Sequence, residues 1–158
     1  MLLNEKSNSI NFKLYPEIFF TIEASIFELP NNWVWLRLND IGYNWGQKEP
    51  NQSFTYIDVS SINNERGIIC DPKLLAPEEA PSRARKIVKE GTVIYSTVRP
   101  YLLNIAVLTK SFNPSPIAST AFAIIHPFKE VLASYIYYYL RSPTFINYVK
   151  KDLKKILF

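Results

Sequence analysis

From residue 54 to residue 125 the apolar positions fall in short β-branched and aromatic runs, each bounded by turn-forming residues. After residue 130 the period lengthens to that of a helix. Phe54 to Ile62 and Gly67 to Cys70 read as strands, with Asn63-Asn64-Glu65-Arg66 between them a turn by composition. Asp71-Pro72 and the stretch from Pro77 to Pro81 break any continuing structure. Gly91 precedes a strand over 93–98, which Arg99-Pro100 ends because proline has no N–H for a central ladder. Ile105 to Thr109 and Ala118 to Ile125 are further strands, joined through Asn113-Pro114-Ser115-Pro116. Upstream, Trp33 to Leu38 alternates as an extended segment does, and Asp40 to Ser53 is loop-like.

At the C-terminal end Val131, Leu132, Tyr135, Ile136, Tyr139 and Leu140 share one helical face. Ser142 is suited to N-cap a second helix with Pro143 at its first position, and Lys150, Lys151, Lys154 and Lys155 lie near its end, where the macrodipole favours cations. Strands first and helices last predict an α+β (mixed α/β) fold, a twisted and largely antiparallel sheet followed by C-terminal helices. Residues 1–28 read as a peripheral extension, and no internal repeat is visible.

The chain has 158 residues, enough for one domain with a sizeable core, and its 47% hydrophobic content argues against disorder. No apolar run reaches the roughly 18 residues of a membrane span, and Met-Leu-Leu-Asn-Glu-Lys lacks the pattern of a secretory signal. A lone cysteine, Cys70, cannot form an internal disulfide, so a reduced, cytoplasmic setting is expected. The net charge of +4 hides a segregation. Residues 1–80 carry six Lys/Arg against eleven Asp/Glu, and residues 81–158 carry twelve against three. Such segregation suits a basic face for nucleic acid, or equally a surface whose halves neutralise each other once folded.

Catalytic constellations are not apparent. His126 is the only histidine and no Cys-x-x-Cys occurs, so no metal site is expected and His126 reads as structural or merely exposed. Glu78-Glu79, neighbours in a proline-bounded loop, cannot face each other across a cleft. The Asn-Pro-Ser-Pro stretch only faintly matches the adenine-methyltransferase signature, and four glycines supply no cofactor loop. No cofactor and no enzymatic activity of the chain itself are expected.

The most informative segment is Pro81 to Tyr101. Arg83, Arg85, Lys86, Lys89 and Arg99 gather five positive charges opposed only by Glu90, and lead into the strand over 93–98. Arginine can read guanine through N7 and O6, whereas lysine mostly touches phosphate. Arg83, Arg85 and Arg99 are therefore candidates for base or phosphate contact, and Lys86 and Lys89 for phosphate. A second candidate surface is the loop Tyr43-Asn44-Trp45-Gly46-Gln47-Lys48, where Asn44 and Gln47 could read adenine, Tyr43 could meet a thymine methyl or a sugar, and Lys48 adds charge.

These segments resemble the target-recognition domain of the specificity (S) subunits of type I restriction-modification systems. The resemblance rests on Leu29-Pro30-Asn31-Asn32-Trp33, Ser82-Arg83-Ala84-Arg85, Ser96-Thr97-Val98-Arg99-Pro100-Tyr101, Ile117-Ala118-Ser119-Thr120-Ala121-Phe122 and the helix pair around Tyr135 to Phe145, in the family's order. It implies an extension over 1–28, a recognition domain over 29–149 and a basic helix end over 150–158. It also implies binding to double-stranded DNA, with catalysis left to partner modification (methyltransferase) and restriction subunits. Two departures stand out. Thr92 replaces the Asp usual after the family's glycine, and the chain reaches Phe158 without the Pro-Pro-Leu-Glu-Glu-Gln-like motif and long spacer helix, as one shortened half of a specificity subunit would. Two other readings remain open: a non-catalytic protein-interaction module whose basic face binds an acidic partner and whose aromatic helices form an oligomer, and an RNA binder preferring single strands.

Overall fold

A computed structural model describes Asn31 and residues 36–156. The extension over 1–28 and Trp33 to Trp35 lie outside the described residues. The chain divides after Ile41. Within the first unit, Leu38–Asp40 forms a 3-10 turn in which the Arg37 guanidinium clasps the Asp40 carboxylate at 2.8 and 3.1 Å. Leu38 therefore belongs to a turn and not to the extended segment its alternation suggested.

Among the described residues the second unit carries ten strands: β1 (Gly42–Tyr43), β2 (Phe54–Ile57), β3 (Ile62–Asn63), β4 (Ile68–Ile69), β5 (Lys73–Leu75), β6 (Ala84–Ile87), β7 (Val93–Ser96), β8 (Ile105–Val107), β9 (Pro116–Ser119) and β10 (Phe122–Pro127). Helices α1 (Ala133–Leu140) and α2 (Pro143–Ile156) follow, completing the expected α+β fold. The strands form two four-stranded sheets, ordered β1-β10-β7-β8 and β5-β2-β9-β6, with β3-β4 a separate hairpin. All pairings are antiparallel except β2 with β9. Ile57 and Ala118 of one sheet cluster with Ile94, Ala106, Phe122 and Ile124 of the other, so this apolar cluster joins both sheets, while Phe54, Tyr56, Ala84 and Ile117 form a separate one.

Several sequence expectations shift for identifiable reasons. The run from Phe54 stops as a strand at Ile57 because Asp58 caps the next turn. Its carboxylate accepts the Val59 N–H at 2.8 Å while its own N–H donates to Ser61 Oγ at 3.2 Å. β5 sits between Pro72 and Pro77, whose helix- and strand-breaking signals concealed three residues of edge strand. β1, inside the stretch read as loop, pairs Gly42 with Pro127 and Tyr43 with His126. A Cβ at Gly42 would stand 2.6 Å from the His126 carbonyl oxygen, so only glycine lets these strands approach.

The helical end follows its sequence in part: Val131 and Leu132 precede α1, and Leu132 and Tyr135 of the expected apolar face are exposed. Ser142 Oγ accepts the Phe145 N–H at 3.2 Å, capping α2 as expected. Ile136, Leu140 and Phe145 are buried, and the Phe145 ring meets Tyr95 of β7 edge-on at 5.4 Å. The β3-β4 turn is fastened to the same end. Gly67, at φ +65°, leaves room for the Tyr137 ring, while Arg141 donates to the Asn64 and Glu65 carbonyls at 3.0 and 3.4 Å. No helix among the described residues is long and apolar enough to cross a membrane.

Candidate nucleic-acid interface

The two candidate segments, far apart in sequence, lie side by side. β6 pairs with β9 along one edge, but its register shifts between Ala84 and Lys86, leaving Arg85 as the extra residue of a bulge. Along its other edge runs the loop after β1. The Asn44 carboxamide oxygen accepts the Gly46 N–H at 2.9 Å, which turns the chain, and Gly46 adopts φ +82°. The loop then runs antiparallel to β6. Ile87 N–H donates to the Gly46 carbonyl at 3.2 Å, Gln47 bridges to Lys86, and Lys48 N–H donates to the Arg85 carbonyl at 2.8 Å. Main-chain hydrogen bonds thus hold Gln47 and Lys48, both exposed, beside the basic strand. β6 itself was hidden in the sequence, because Ala-Arg-Lys-Ile has the composition of a solvated segment. Its inward anchor is the fully buried Ala84.

The charges on this face are unequally placed. Arg83 is 60% exposed and reaches Asp58 at 3.4 Å, a loose surface contact. The Arg85 side chain is only 26% exposed, and its two terminal nitrogens are each engaged, one with the Ala84 carbonyl at 2.9 Å and the other with Glu49 at 3.0 Å. Lys86 is half-buried, and desolvation holds its ammonium below the ordinary lysine pKa. The Lys89 Nζ stands 3.8 Å from the centroid of the Trp45 ring, a cation–π contact. Both acidic partners come from the acidic first half of the chain, so part of the segregated charge is neutralised locally.

Behind Lys89 lies an aromatic group that sequence reasoning did not assemble. Trp45 meets His126 edge-on at 4.9 Å and Tyr43 at 5.0 Å, and Tyr43 packs against Phe128 at 5.6 Å. Thr92, fully buried, accepts the Lys89 N–H at 3.2 Å and places its hydroxyl 3.0 Å from His126 Nδ1. Where the family carries Asp, a hydroxyl here makes the turn. Burial first, and the nearby Lys89 ammonium second, hold the His126 imidazole below its usual pKa. His126 was unreadable as part of this group because only the β1-β10 register brings it beside Tyr43. The same holds for Glu49 and Asp58, whose partners are set by the fold.

Seven of the nine candidates therefore converge: Tyr43, Asn44, Gln47, Lys48, Arg85, Lys86 and Lys89. Arg83 lies just before β6, where its carbonyl accepts the Thr120 N–H at 2.8 Å. Arg99 is exposed at φ 50°, beyond the Ser96 end of β7, whereas Tyr43 and His126 flank the Val93 end through β10. Arg99 does not join the converged group. The group as a whole offers ammonium and guanidinium donors beside the exposed Gln47 amide and the partly buried Tyr43 and Asn44, a combination suited to phosphates and base edges.

No protein-family model and no curated protein matches this chain. Among solved structures, the HsdS subunit from Thermoanaerobacter tengcongensis superposes with a TM-score of 0.69 and 34% identity, over 75% of this chain and 31% of that one. A chain from a study of complex assembly and conformational transition in the type I R-M system gives 0.66 and 34%, over 73% and 31%. This chain thus spans about a third of the length of either. Ordered motifs, sequence identity and superposition agree, and the domain is of the target-recognition type found in the HsdS specificity subunits of type I restriction-modification systems.

Proposed function

We propose that this chain binds double-stranded DNA and reads part of a sequence, directing modification and restriction subunits to their target without catalysing a reaction itself. The single observation that carries the reading is the main-chain docking of residues 46–48 against β6, which turns two candidate segments into one donor-rich face. In this reading Lys48, Lys86 and Lys89 meet phosphates and set the register, since such contacts dominate affinity without carrying sequence information. Tyr43, Asn44, Gln47 and Arg85 face the bases, with Arg83 and Arg99 extending the footprint along the duplex. The module is placed at residues 29–149, preceded by the extension 1–28 and followed by the basic segment 150–158.

A second reading has its own support. Leu132, Tyr135 and Tyr138, at and beside α1, leave 71%, 59% and 71% of their surface exposed, as a protein-contact surface would. The two readings are compatible if DNA and a partner subunit, or a second copy, use different faces. Titration of the full chain with duplex DNA at two salt concentrations tests the first. Saturable binding that weakens steeply with salt and depends on sequence is expected. Binding of single-stranded RNA in preference, or no saturable duplex binding, would overturn it.

A further inference from the structure

Arg85 and the lysines around it differ in one respect that bears on how sequence is told from backbone. A lysine ammonium is a point charge that follows any phosphate, whereas a guanidinium is a planar fork whose usefulness depends on its orientation. Arg85 is the bulge residue of β6, the least exposed of the ion-paired arginines, and is held at two nitrogens, by its neighbour's carbonyl and by Glu49. Its remaining N–H groups have no partner among the described residues. Glu49 itself is 81% exposed and its side chain makes no other hydrogen bond or ion pair among the described residues, so it is placed by Arg85 and contributes little to stability. A carboxylate in that place does two things. It fixes the plane of the guanidinium, and it offsets the positive charge that would otherwise draw Arg85 to the nearest phosphate.

We infer that Glu49 is a specificity-determining positioning residue, which holds Arg85 for bidentate contact with the N7/O6 edge of a guanine and keeps it from the phosphate backbone. The inference rests on the DNA-reading function proposed above. Arg83 is not equivalent, because its contact with Asp58 is longer, a single nitrogen is engaged, and Asp58 is also committed to capping the turn at Val59.

The test uses the full chain and a duplex selected by it from a randomised pool, with each guanine replaced in turn by 7-deazaguanine, which lacks the N7 acceptor. At one guanine the replacement should weaken wild-type binding by roughly tenfold, the scale of one lost hydrogen bond from a charged donor, and should leave the affinity of Arg85→Ala unchanged. Glu49→Ala should lose most of that discrimination while binding scrambled duplex more tightly, with a salt slope steeper by about 0.9, the value for one added phosphate contact. Glu49→Gln keeps an acceptor oxygen for the guanidinium and should retain discrimination. Glu78→Gln removes the same charge from an exposed turn that makes no ion pair with Arg85 and should resemble wild type in discrimination. If Glu49→Ala discriminates as wild type does, or if no guanine shows an Arg85-dependent penalty, the inference fails while DNA reading stands. If the wild-type chain binds no duplex saturably, the proposed function fails and takes the inference with it.

Discussion

The two ends of this domain are built on different principles. At the helical end, buried side chains hold the structure: Ile136, Leu140 and Phe145 fill space under α1 and α2, and the Gly67 turn closes over Tyr137. At the β6 end, the backbone holds it: residues 46–48 are stitched to the strand, and the side chains left over are charged, amide or aromatic. An end held by packing tolerates little change in its side chains. An end held by main-chain hydrogen bonds frees its side chains to vary, as a surface that reads different sequences requires.

That contrast can be broken at either end, and the largest effects belong to the packed one. Ile136→Ala should cost about 3 kcal/mol in urea denaturation, by the usual penalty for deleting a fully buried branched side chain. Duplex affinity of the folded protein should hardly change. Gly67→Ala should cost about 2 kcal/mol, since the residue sits at φ +65° and its Cβ would enter the space of the Tyr137 ring. At the stitched end the order reverses. Trp45→Leu removes the ring beneath Lys89 and should weaken duplex binding by about threefold, on the scale of an exposed cation–π contact of roughly 0.5–1 kcal/mol. Its loss of stability should be smaller than that of Ile136→Ala.

The smallest effect is one of pH. The folded protein holds His126 below its ordinary pKa, so the unfolded chain takes up a proton more readily. The contribution of neutral His126 is present above about pH 6.5, the unfolded value, and is lost as the pH falls through the folded one. The melting midpoint should fall slightly on acidification, and His126→Gln should remove part of that fall.

The same contrast explains what the sequence made legible. The period of Tyr135, Ile136, Tyr139 and Leu140, and the Ser142-Pro143 start of α2, are local signals, and the helices follow them. The strand over 93–96 was visible because its residues are buried and mostly β-branched or aromatic, whereas Ala118 to Ile125, expected as one strand, is broken at Thr120-Ala121 into β9 and β10 of different sheets, a crossing that composition does not mark. β1, β5 and β6 were not, because each is short, at or near an edge, and stabilised by a partner strand more than by its own composition. The candidate site was legible as two lists of residues, and their meeting was not. Arg83, Arg85 and Lys89 read as uniform positive charge, yet the fold gives each a different partner in Asp58, Glu49 and Trp45. Such pairings depend on register between segments some tens of residues apart, which no local pattern encodes.

Amide hydrogen exchange of the full chain, with and without saturating duplex DNA, probes the two ends in one experiment. Exchange should slow in peptides covering residues 43–48 and 83–90 and stay unchanged in those covering 62–69 and 133–140. Slowing confined to the hairpin and α1, with the loop and β6 unaffected, would contradict a DNA-reading face assembled by that strand.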